Sequence, residues 1–97
     1  MDAFQTLAEL MMSQCPAGYG GARLEAELDA NYASVALVCQ DEEGGELSIE
    51  LPPRTSVDLH YALENVRQEM AQQTGNTWKT CVATIRSDGK FAMDVGY

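Results

Sequence analysis

Residues 22–51 read ARLEAELDANYASVALVCQDEEGGELSIEL, and the fold turns on this stretch. Leu24, Ala26 and Leu28 alternate with Glu25, Glu27 and Asp29. That period of two predicts a half-buried strand with one acidic face. Asp29-Ala-Asn-Tyr32 supplies a turn, and Ser34 to Gln40 is then nearly continuous apolar sequence. A strand apolar on both sides belongs in the middle of a sheet. Asp41-Glu-Glu-Gly-Gly45 reads as an acidic hairpin loop. Leu47, Ile49 and Leu51 then alternate with Glu46, Ser48 and Glu50 in a third strand. Links of hairpin length make the three strands an antiparallel meander.

A meander with one apolar face needs a cover, and the flanking segments provide it. Phe4, Leu7, Ala8, Met11 and Cys15 recur at helical spacing, with Asp2 at the N-cap position and Pro16 as a stop. They predict a first amphipathic helix over about residues 3–14. Ala17-Gly-Tyr-Gly-Gly21 has neither the lysine nor the preceding strand of a phosphate loop, so it reads as a linker. After the third strand, Pro52-Pro53 reads as a stop and Thr55-Ser-Val-Asp58 matches the capping box. Leu59, Leu63, Val66 and Met70 predict a second helix over about residues 56–73, with Gly75 just past its end.

The last segment predicts a hairpin of strands 77–86 and 90–97 around Ser87-Asp88-Gly89. A two-residue turn would pair Arg86 with Phe91. A three-residue loop with Gly89 in a left-handed bulge pairs Arg86 with Lys90 instead. Only the second register gathers Cys81, Ala83, Ile85, Phe91, Met93 and Val95 on one face, so it is the register expected. The sequence therefore predicts one α+β domain over residues 1–97, in the order α-β-β-β-α-β-β. Its sheet is antiparallel and both helices cover one face. Which edge of the meander receives the hairpin is left open.

Charge narrows the function. The 97 residues carry a net charge of −9. Residues 1–53 hold ten acids against one base, Arg23, whereas residues 54–97 are balanced. An acidic field repels nucleic acid and anionic lipid and attracts basic proteins. Three cysteines, Cys15, Cys39 and Cys81, stand far apart with no CxxC pair, which fits neither a disulfide framework nor a zinc site. Each is expected to be a small buried hydrophobe with a reduced thiol, which implies a cytoplasmic location. Met1-Asp2-Ala3-Phe4 lacks the basic start of a secretory signal. No apolar run approaches the ~20 residues that span a bilayer.

Chemistry has little to work with. His60 is the only histidine, no GxSxG elbow occurs, and no cysteine has an evident base. Catalysis, a cofactor and a metal are therefore not expected. Binding is. The carboxylates of Glu25, Glu27, Asp29, Asp41, Glu42, Glu43 and Glu46 form the candidate partner-binding surface. The competing reading is a non-catalytic structural or regulatory module that dimerises through a sheet edge.

Trp78, the turn Ser87-Asp88-Gly89-Lys90-Phe91, Asp94 and Tyr97 carry a resemblance, as does the preceding Val66-Arg67-Gln68-Glu69-Met70. In these residues, about a quarter of the chain, the sequence resembles the YezG-like immunity (antitoxin) proteins of bacterial polymorphic toxin systems. The resemblance implies a helix, a meander, a second helix and a final hairpin. It further implies a protein that neutralises a toxin, often a nuclease domain with a basic surface.

Overall fold

Alternation decides which way each strand faces. Even-numbered residues of the first strand, Ala22, Leu24, Ala26 and Leu28, are buried, while Glu25 and Glu27 are exposed. This computed structural model describes residues 3–29, 32–86 and 88–97, with the backbone alone at residues 29, 32 and 33. Asp2, the Ala30-Asn31 turn and Ser87 lie outside the described residues.

The elements are α1 (Ala3–Ser13), β1 (Gly21–Asp29), β2 (Tyr32–Gln40), β3 (Glu46–Ile49), α2 (Pro53–Thr74), β4 (Thr80–Ile85) and β5 (Phe91–Gly96). All strand pairs are antiparallel, in the order β3-β2-β1-β4-β5. The order of elements and the helix cover are as the sequence predicts. The question left open is answered: the hairpin docks on β1, which becomes the central strand.

The register stacks the core in rows. Leu37, Leu24 and Ala83 lie side by side across β2, β1 and β4, and Cys39, Ala22 and Ile85 form the next row. Leu7 and Met11 of α1, and Leu59, Ala62, Leu63 and Val66 of α2, cover them. Each fully buried leucine or valine stabilises the fold by about 1.5–3 kcal/mol. Trp78 is also fully buried between α2 and β4, and its indole N–H finds no acceptor among the described residues. Arg67 ties α2 to the end of β1. Its guanidinium donates to the carbonyl of Leu28 at 3.3 Å and to both carboxylate oxygens of Glu64.

The hairpin register is the one expected. Ile85 pairs with Phe91, and the Arg86 N–H donates to the Lys90 carbonyl at 2.9 Å. Gly89 has φ 85°, a left-handed conformation that costs a β-carbon dearly.

Two expectations need correction. Helix α2 begins at Pro53, not near residue 56, because proline is well suited to the first helical position, where its missing N–H is not needed. The N–H of Ser56 donates to the Pro52 carbonyl at 2.9 Å. Thr55-x-x-Asp58 therefore lies inside the helix, and no side chain caps its start. The helix ends as expected at Gly75, with φ 78°.

The second correction concerns cysteine. Cys15 and Cys39 are joined by a disulfide, with Cα atoms 5.7 Å apart, and only Cys81 is free. The bridge fastens the end of α1 to β2. Cys15 and Cys39 are thus not separate apolar fillers, and the step from reduced thiols to the cytoplasm loses its premise.

Candidate protein-binding face

The helices cover one side of the sheet only, so the other side is a five-strand surface. Pairing sets its rows. Ala36, Glu25, Val82 and Asp94 form one row across β2, β1, β4 and β5. Ser34, Glu27, Thr80 and Gly96 form the next. Around Glu25 and Glu27 the neighbours are small, and an open depression of about 340 Å³ lies among Glu25, Glu27, Ser34, Ala36, Thr80 and Val82. Neither carboxylate is paired with a cation among the described residues. Two like charges two residues apart on one strand face are a standing cost unless something positive meets them.

Arg23 would be the natural neutraliser, but it is engaged elsewhere. Its Nη1 lies 3.2 Å from Glu46 Oε1, and Gln40 donates to the same oxygen at 3.2 Å. Both partners of this ion pair are about a third to a half exposed, so it adds under about 1 kcal/mol. Its larger effect is to leave Glu25 and Glu27 uncompensated. It also removes Glu46 from the set of free carboxylates.

The acidic loop divides likewise. The N–H groups of Glu43 and Gly45 donate to Asp41 Oδ1 at 2.9 and 2.7 Å. Asp41 thus holds the loop together, while Glu42 and Glu43 project into solvent. Asp41→Ala should cost about 1 kcal/mol of stability, and Glu42→Ala less than about 0.5 kcal/mol. Urea melts of the two variants check this.

Of the seven predicted residues, Glu25 and Glu27 stand together at mid-sheet. Glu42 and Glu43 stand free in a second group, roughly 15–20 Å away at about 3.3 Å per residue. Asp41 and Glu46 are turned to structural work, and the Asp29 side chain lies outside the described residues. Asp94 is a further carboxylate of this face, outside the seven expected from the sequence. It is exposed and lies two strands from Glu25, roughly 10 Å at the usual strand spacing. Its alternation on the hairpin was visible, but the hairpin's place beside β1 was not.

His60 sits half-buried on α2, with its ring 6.2 Å from that of the exposed Tyr61. Among the described residues, no group of three or more His, Cys, Asp or Glu could hold a metal ion. Burial pushes the Cys81 thiol up from 9.0 to about 11, with the Asp94 carboxylate adding to the shift. A thiol held neutral is a poor nucleophile. In the folded protein Cys81 should resist a thiol reagent at pH 8 and react at once in denaturant. The sign for stability follows. The neutral thiol's contribution is fully present below pH 9.0 and is lost as pH rises through about 11. A comparison of wild type and Cys81→Ala melts over that range checks it.

The fold and face define a class: a small α+β protein whose two helices back a five-stranded antiparallel sheet with an open side that carries Glu25, Glu27 and Asp94. No helix among the described residues is long and apolar enough to cross a membrane. No protein-family model matches the chain, and no curated protein matches it in sequence.

Proposed function

We propose that this protein is an immunity protein that binds a cognate toxin with a basic surface, most naturally a nuclease domain, and neutralises it by covering that surface. The observation that carries this reading is the pair Glu25 and Glu27, uncompensated on the uncovered side of the sheet and joined there by Asp94. Such a pair loses little on meeting lysine or arginine, because no ion pair among the described residues has to break first. The small residues around it let a long basic side chain lie flat on the sheet.

Inhibition then needs no chemistry. A nuclease binds phosphate through cationic groups, and an acidic face seated on those groups excludes the substrate. Two further supports come from the sequence. The excess negative charge lies wholly in residues 1–53, and the element order agrees with the one that the YezG-like resemblance implies.

We place this action in the cytoplasm, where nucleic acid is the target. The Cys15–Cys39 pair makes the placement testable, because cytosolic thiols keep such pairs reduced. Alkylation at the moment of lysis reads the state of the pair in the cell: open thiols would support the cytoplasm, and the bridged pair seen in the structure would argue for an oxidising compartment. For the function itself, the tagged chain should recover the product of the gene immediately upstream in a pull-down. Failure to recover any toxin-like protein would count against the reading.

A further inference from the structure

The two edges of the sheet are unlike. Strand β3 is four residues long, begins at Glu46 behind Gly44-Gly45, and is soon followed by Pro52-Pro53. It is short, charged and interrupted, as edges that avoid pairing are. Strand β5 is six residues long, contains no proline, and carries a single charge, Asp94. Among the described residues no strand pairs with its outer side, since the sheet order ends there.

The hairpin fixes which groups that edge offers. Arg86 and Lys90 are a hydrogen-bonded pair, so alternation turns the backbone of Ala92, Asp94 and Gly96 toward β4. The N–H and carbonyl groups of Phe91, Met93 and Val95 then face outward. Their side chains lie on the core side, and all three are only half-buried.

We propose that a second copy of this chain pairs with this edge, β5 against β5, antiparallel and centred on Met93. This register uses all three outward residues: Met93 meets Met93, and Phe91 meets Val95. On the open face it sets Ala92 opposite Asp94, so acid never faces acid. It also brings Lys90 of one copy diagonally next to Asp94 of the other, within reach of a long side chain. Lys90 makes no ion pair among the described residues, and the symmetry makes this contact twice. The alternative centres shift the strands by two residues and lose an outward pair. The product is a ten-stranded sheet with both acidic faces on one side. The inference rests on the edge and its register, and stands independently of the toxin reading.

Sedimentation or light scattering of the full chain tests it. Wild type should weigh twice 10.6 kDa at micromolar concentration. Val95→Pro removes an outward N–H and none of the bonds to β4, so it should keep the circular dichroism of the fold yet weigh as a monomer. Lys90→Glu should raise the dimer dissociation constant roughly tenfold or more, and Lys90→Glu with Asp94→Lys should restore it. If Val95→Pro does not fold, the charge exchange decides alone. A wild-type monomer, a folded Val95→Pro dimer, or a charge exchange that does not restore pairing would each overturn the proposal.

Discussion

Reversing Glu25 and Glu27 to lysine together should weaken the complex with a basic partner by roughly 100-fold or more, while leaving the fold intact. Close charge pairs across an interface are coupled by about 1.5–7 kcal/mol each, and every 1.4 kcal/mol is about tenfold in affinity. Even at the low end, two lost pairs give the stated factor, and the new repulsion adds to it. The fold should not suffer, because both side chains are exposed and neither holds an ion pair among the described residues. Their removal also relieves a like-charge contact, so the stability change should stay within about 0.5 kcal/mol. Glu42→Lys with Glu43→Lys is the informative contrast. Those residues lie on a loop apart from the depression, and their reversal should slow association several-fold and hardly alter dissociation. Surface plasmon resonance on the four-way set separates the two. Equal losses from both pairs would mean that charge in general, and not the open sheet face, governs binding.

Reducing the Cys15–Cys39 bridge should cost about 3.5 kcal/mol, the loop-closure entropy of the 24-residue separation. A domain of this size has about 5–15 kcal/mol in all. The melting temperature should therefore fall by roughly 14–28 °C in the presence of a dithiol. The bridge ties the segment just past α1 to β2, so amide exchange should rise first in α1. Coincident melts with and without reductant, on protein whose bridge is verified by mass, would mean that the apolar packing of α1, with Leu7 and Met11 at its centre, holds it without the bridge.

These two predictions draw on different depths of legibility. Glu25 and Glu27 were readable because strand alternation is a local property: once Leu24, Ala26 and Leu28 face the core, the glutamates must face away. The Ser87–Gly89 register was readable for the same reason, since only one pairing collects the apolar residues. Alternation along β5 turns Asp94 to the side opposite Met93 and Val95, but its nearness to Glu25 depends on β4 docking against β1. No local pattern specifies that choice between two edges. The disulfide was illegible on the same grounds. Cys15 follows a helix and Cys39 lies next to the end of a strand, and their 5.7 Å approach exists only once α1 lies across the sheet. Asp41 and Glu46 show a further limit. Sequence reveals a carboxylate but not whether the backbone of its own loop, or Arg23 across the sheet, has already claimed it. Pro53 was misread because the Pro-Pro pair that ends a strand equally well opens a helix.

The most direct test of the central claim is co-expression of this chain with the product of the gene immediately upstream, scoring survival together with a purified complex at low and high salt. The account predicts rescue by wild type, a complex whose association slows steeply as salt rises, and loss of both in the Glu25→Lys and Glu27→Lys double variant. Death of the cells with no complex formed, or rescue that the double variant retains in full, would contradict it.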